Sequence, residues 1–135
     1  RDDSERAITT EAGMHLRIDL PWPASCLSPN ARSHWRKISE AKSSARMLAK
    51  FVALDAINRA AWPKNVTAAS TQITFVAKDA RKRDGDNHLA MCKAYLDGLA
   101  DAGVIANDCG FTHAPVKFVK GDGRGVVIEV RRTGS

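Results

Sequence analysis

A chain of 135 residues, 44% hydrophobic and 27% charged, has ordinary globular composition and room for one domain with a core. Its formal net charge of +6 and pI near 9.6 favour an anionic partner, because a surface of that sign concentrates polyanions. No apolar run approaches the roughly 18 residues that span a bilayer, the N-terminal residues lack the layout of a secretory signal, and three widely spaced cysteines, Cys26, Cys92 and Cys109, form neither a disulfide framework nor a paired zinc motif. The expectation is a cytoplasmic protein with free thiols and no membrane partner.

In chain order, residues 1–13 are polar and aperiodic, which predicts an N-terminal arm ahead of a single domain at 14–135. From Met14 the pattern alternates, with Leu16, Ile18 and Leu20 on one face of a half-buried strand that Pro21 and Pro23 end. A proline-stiffened loop follows over residues 22–33. Residues 39–62 predict a helix whose apolar stripe is Met47, Leu48, Phe51, Leu54, Ala56 and Ile57, and Pro63 stops it. Residues 66–77 are strand-like through Ile73 and Phe75. A second helix carries the core stripe Leu89, Cys92, Leu96 and Leu99, with Gly103 at its C-terminal cap. Residues 112–120 and 125–132 alternate again and are expected to form a hairpin around the Gly-rich turn at 121–125. The order β-α-β-α-β-β predicts an α/β (α+β) domain, a mixed sheet with two main helices packed against it.

The chemistry concentrates between residues 78 and 108. Lys78, Arg81, Lys82 and Arg83 put four cations within six residues, and Asp84 and Asp86 then put two carboxylates at the mouth of a helix. Carboxylate oxygens are the ligands that Mg²⁺ or Mn²⁺ prefers, and flanking cations suit the phosphate such an ion would polarise. On one continuous helix Asp86, Lys93 and Asp97 share a face, with Lys93 about 10 Å along the axis from Asp86. Beyond Gly103, Val104 and Ile105 return to the core and Asn107 and Asp108 emerge, a placement that would bring a third carboxylate back towards the first two.

These residues resemble the RusA-type Holliday-junction resolvases, a family of endodeoxyribonucleases frequent in phage and prophage genomes. The likeness runs over nearly the whole domain: Leu20-Pro-Trp-Pro closing the first strand, Arg83-Asp-Gly-Asp-Asn87 opening the second helix, Lys93-x-x-x-Asp97 within it, and Ala102-Gly-Val-Ile-x-Asn-Asp108 after it. The resemblance implies a RusA-like fold, a metal site of Asp84, Asp86 and Asp108 for Mg²⁺ or Mn²⁺, a catalytic role for Lys93 and a supporting one for Asn87. It also implies a homodimer that nicks four-way-junction DNA symmetrically and leaves 5′-phosphate ends. Two positions depart from the pattern. The family's lysine follows the second aspartate by four residues, where this chain has Ala90 and reaches a lysine at Lys93, and Asn107 stands where an aspartate is common.

Plainer readings stand beside these. Asp84 or Asp86 is what a helix cap requires, the basic run is what a solvated loop carries, and Lys93 with Asp97 makes an ordinary i,i+4 pair. An Asp-Gly-Asp-Asn calcium loop is discarded, because no glutamate stands at its twelfth position. His15, His34, His88 and His113 lack metal-ligand spacing, although His88 sits beside the carboxylates. Trp22, Trp35 and Trp62 read as packing anchors, with Trp35 also placed to face DNA beside Arg32, Arg36 and Lys37. The alternatives to a junction resolvase are a non-cleaving branched-DNA-binding or regulatory protein and a nuclease for forks and flaps generally.

Overall fold

In the computed structural model the described residues are 14–79, 81 and 83–133, with Asp108 described by its backbone. The arm expected over residues 1–13 and the basic residue Lys82 lie outside them. Strand β1 (His15–Leu20) buries Leu16, Ile18 and Leu20 as the alternation requires, and a 3₁₀ turn (Ser25–Leu27) follows the prolines. Helix α1 (Trp35–Ala60) begins ahead of the expected start because His34 caps it, its Nδ1 accepting from the Arg36 amide at 3.1 Å. It ends on Ala61 in the left-handed region at φ 53°. Strand β2 (Ala69–Ala77) alternates buried and half-buried residues along its whole length.

Then come α2 (Gly85–Met91), α3 (Lys93–Ala102), β3 (Phe111–His113), β4 (Lys117–Lys120) and β5 (Gly125–Arg132). The strands form one mixed sheet in the order β1-β5-β2, with β3 and β4 both along the far edge of β2. β5 is antiparallel to both neighbours, whereas β3 and β4 run parallel to β2. Phe75, Ile73, Ile18, Leu16 and Ile128 fill the core with Leu99 and Ile105. Cys26, Cys92 and Cys109 are free thiols. Among the described residues no helix is long and apolar enough to cross a membrane.

Four expectations need correction. The second helix is two helices, because the Cys92 amide turns back to the Leu89 carbonyl three residues earlier and the chain bends there. The strand at 112–120 is also two: Pro115 falls between β3 and β4, and five residues of this edge from His113 to Lys117 match four of β2 from Thr71 to Thr74. The order is thus β-α-β-α-α-β-β-β.

The expected hairpin of 112–120 with 125–132 does not form. β2 lies between β4 and β5, and residues 121–124 cross its end, where the Gly121 amide reaches the Ala77 carbonyl at 2.8 Å. The alternating Val126, Ile128 and Val130 are satisfied by a central place paired with β1 and β2.

Finally, α1 turns its small face inward. Ala49 and Ala53 are buried, with Val52, Ala56 and Ile57 packed beside them, while Met47 is 58% and Phe51 60% exposed and Leu48 and Leu54 are exposed too. The cause is the approach of α3, whose Gly98 lies so near that an added Cβ would meet the Arg46 carbonyl oxygen at 2.3 Å.

Candidate functional site

The loop from Ala77 to α2 delivers the chain from the sheet to the two carboxylates. Asp84 is the N-cap of α2: its Oδ1 accepts from the Asp86 amide at 2.9 Å and the Asn87 amide at 3.3 Å, and its Oδ2 from the Asn87 side-chain amide at 3.2 Å. The cap reading of Asp84 therefore holds. Its carboxylate and that of Asp86 are both exposed at the first turn, and Asn87 fixes the orientation of the former.

His88 closes the same turn from behind. Its Nδ1–H donates to the Asp84 carbonyl at 2.7 Å, which sets the tautomer. Its ring meets Phe75, Phe118 and Trp22 edge-on at centroid distances of 4.9, 5.0 and 5.9 Å. The aspartate step is thus fastened to an aromatic cluster over Phe75.

The basic run divides into two kinds of residue. Asp79 Oδ1 accepts from the Arg81 amide at 3.0 Å and from Arg83 Nη2 at 2.9 Å, and Arg83 Nη1 donates to the Arg81 carbonyl at 3.0 Å. The Arg81 amide and then the Arg83 guanidinium hold the Asp79 carboxyl below the ordinary carboxylate range. With its side chain 8% exposed, Arg83 is the post on which the loop is built, whereas Lys78 and Arg81 face solvent.

A residue that sequence reasoning missed completes this group. Arg124, in the crossing between β4 and β5, stacks on Trp22 with its Cζ 4.1 Å from the ring centroid. It lines a cleft of ≈ 540 Å³ together with Lys78, Arg81 and Arg83 and the carboxylates Asp79 and Asp122. The only hint in the sequence was an arginine inside a Gly-rich turn.

Lys93 and Asp108 lie elsewhere. Lys93 Nζ donates to Asp97 Oδ1 at 2.7 Å, the i,i+4 pair read from the sequence, and it lines a cleft with His113 and Cys109. His113 bonds Thr71 Oγ1 through Nδ1 at 2.5 Å, and burial, with the Lys93 charge, holds its imidazole below the usual histidine value. The backbone of Asp108 belongs to a 3₁₀ turn (Asp108–Gly110) that leads into β3. This turn sits against residues before β2: the Ala106 amide reaches the Val66 carbonyl at 2.7 Å, and Gly110 packs on Thr67.

Phe111, just after that turn, pairs with Ala69, whereas the Asp84–His88 turn lies over Phe75, six residues or about 20 Å further along β2. Within one chain the backbone of Asp108 therefore does not return to Asp84 and Asp86. Among the described residues no three His, Cys, Asp or Glu side chains are placed to share a metal ion.

Arg32, Arg36 and Lys37 gather separately at the start of α1. Trp35 is 67% exposed there with the Arg36 guanidinium 5.4 Å from its ring, so it is no packing anchor. Trp62 is one, buried with its Nε1–H donating to the Val104 carbonyl at 2.8 Å.

No protein-family model matches the chain. Over 89 residues it is 39% identical to a protein of Xylella fastidiosa (strain Temecula1 / ATCC 700964) described as uncharacterized. That match covers 63% of this chain and 56% of the relative, so the chain spans little more than half of that protein's length.

Proposed function

We propose that this chain is a metal-dependent endodeoxyribonuclease of the RusA type that acts in the cytoplasm as a homodimer and resolves Holliday junctions by paired symmetric hydrolysis. The observation that carries this reading is the adjacency of two exposed carboxylates, Asp84 and Asp86, to a cationic cleft built from two loops at one end of the sheet. Oxygen donors of this kind fit Mg²⁺ or Mn²⁺. Bound by Asp84, Asp86 and Asp108, such an ion would supply an activated water and stabilise charge at the phosphate.

The rest is the work of this chain's own side chains. Lys78 and Arg81 hold the sugar-phosphate backbone in the cleft, and the Arg83–Asp79 pair keeps that loop in shape. Asn87 and His88 fix Asp84 from two sides. Lys93 lines the cleft beside Cys109, so it would enter a site together with Asp108 and neutralise charge at the phosphate from that side, as a mobile ammonium suits.

A two-fold protein matches the two-fold junction, and here the dimer has a second purpose. Since the turn of Asp108 leads into β3 at the Ala69 end of β2 while the Asp84–His88 turn lies over Phe75, the third carboxylate of each site is supplied in this reading by Asp108 of the partner subunit.

The test is cleavage of a labelled four-way junction with Mg²⁺, Mn²⁺ or EDTA, beside fork, flap and linear duplex substrates. Paired nicks that need metal are expected. Asp86→Asn should lower them about 100-fold or more while junction binding persists, because changing even a residue behind a metal ligand costs about 10- to 100-fold. Equal cutting of forks and flaps would favour a general branched-DNA nuclease.

One observation favours a non-cleaving binder instead: Asp84 is already occupied as a helix cap. Tight junction binding without nicks under any metal would establish that reading and end the nuclease one.

A further inference from the structure

We propose that Arg124 is a binding residue for the DNA backbone: stacked on Trp22, it presents its in-plane N–H groups to a phosphodiester in the cleft that Lys78 and Arg81 flank. The inference rests on the DNA reading above and gives the site a second wall, drawn from a part of the chain that the motifs do not reach.

The topology makes the wall. β2 and β4 run parallel, with Ala77 paired to Lys120, so the loop after β2 and the crossing after β4 leave the sheet at the same end. The crossing is pressed onto β2, since a Cβ at Gly121 would meet Val76 Cγ1 at 2.5 Å. Arg124 is thereby held opposite Lys78 and Arg81.

The cations of the cleft are not equivalent. Arg83 also lies over Trp22, at 5.5 Å from the ring centroid, but its donors are used on Asp79 and the Arg81 carbonyl and its side chain is nearly buried. Arg124 is exposed, and its guanidinium lies over the face of the Trp22 indole. A guanidinium lying on a ring keeps its five donors in the plane, where a phosphate accepts two of them side by side. Stacking also removes rotamer freedom before the phosphate arrives, which lowers the ordering cost of binding.

Position fits the chemistry. Trp22 touches Arg124 on its face and His88 at 5.9 Å, and His88 is bonded to the Asp84 carbonyl. A phosphate held by Arg124 therefore lies one aromatic ring away from the turn that carries Asp84 and Asp86. Asp79 on the same rim is neutralised by Arg83, which leaves Asp122 as the other carboxylate lining the cleft among the described residues.

The experiment measures binding of the full chain to a labelled four-way junction and to duplex DNA while NaCl rises from about 50 to about 200 mM. Arg124→Gln, Arg124→Lys and Arg83→Gln are compared with wild type, and a melting curve is recorded for each. Arg124→Gln should melt normally, weaken binding about tenfold on every sequence, and reduce the slope of log K against log salt by about 0.9, the value for one phosphate contact. Arg124→Lys should restore the slope but only part of the affinity, because a point charge does not fork. Arg83→Gln should lower the melting temperature and leave the slope unchanged.

An Arg124→Gln protein with wild-type slope and affinity would overturn the proposal and leave Arg124 as a cover for Trp22. Wild-type binding without nicking, with the Arg124 effect present, removes the nuclease reading and keeps this one. Absence of any DNA binding by the wild-type chain overturns both.

Discussion

Asp84 is asked to do two things, and a single pair of substitutions separates them. As N-cap it satisfies two amides of α2, a task that asparagine performs equally well, whereas holding a divalent cation needs the charge. Asp84→Asn should therefore unfold in urea within about 0.5 kcal/mol of wild type yet lose Mn²⁺ binding by titration calorimetry. Asp84→Ala should lose that binding and also about 1 kcal/mol of stability. Asp84→Asn that keeps wild-type Mn²⁺ affinity would confine the residue to its cap. The contrast explains what was legible at this scale. Asp84, Asp86 and Asn87 were readable because a cap is built from residues two and three apart, and so was the Lys93–Asp97 pair. Arg83 looked like its cationic neighbours because nothing in a run of charges says which one folds back onto Asp79. Arg124 was invisible because its partner, Trp22, is about a hundred residues away and is brought to it by strand order alone.

At the scale of elements, α1 and α3 pack closely, and small side chains decide it. A Cβ on Gly98 would meet the Arg46 carbonyl oxygen at 2.3 Å and Ala49 Cβ at 2.8 Å, contacts that only separation of the two helices relieves. Gly98→Ala is expected to destabilise the fold by about 1–3 kcal/mol in urea titration, even though alanine is intrinsically the better helix former by about 1 kcal/mol. Unchanged or raised stability would show that the helices yield without cost. Near the same contact, Arg46 pairs with Asp101 and holds its carboxyl below the ordinary range. That pair is solvent-exposed, and such pairs contribute about 0–1 kcal/mol, so packing at Gly98 outweighs it. This geometry is also why α1 was misread. Hydrophobic periodicity points to the largest apolar residues, Met47 and Phe51, whereas a close crossing selects the smallest, Ala49 and Ala53. β1, β2 and β5 were legible since alternation is a local property of a strand with one buried face. Their order was not, because a Gly-rich connection serves equally for a hairpin and for a crossing over the end of a third strand.

For the whole molecule, the separation of Asp108 from Asp84 and Asp86 makes a prediction about subunits. In a homodimer whose sites each draw Asp84 and Asp86 from one chain and Asp108 from the other, Asp86→Asn and Asp108→Asn homodimers are both dead, but for different reasons. Mixed and allowed to exchange, they form heterodimers in which one site carries both substitutions and the other carries neither. Random exchange makes half of the dimers heterodimers, so about a quarter of the wild-type number of intact sites returns. Such heterodimers should nick one strand of a labelled four-way junction without the paired second cut, so that singly nicked junction accumulates and resolved duplexes do not. If each site were assembled within one chain, every heterodimer would hold a single substitution in both sites, and mixing would restore nothing. The two outcomes differ qualitatively, which makes the mixing assay independent of how tightly either variant binds DNA. It also tests whether the offset of about 20 Å along β2, between the Ala69–Phe111 pair and the Asp84–His88 turn over Phe75, calls for a partner: only a site shared between subunits predicts recovery on mixing.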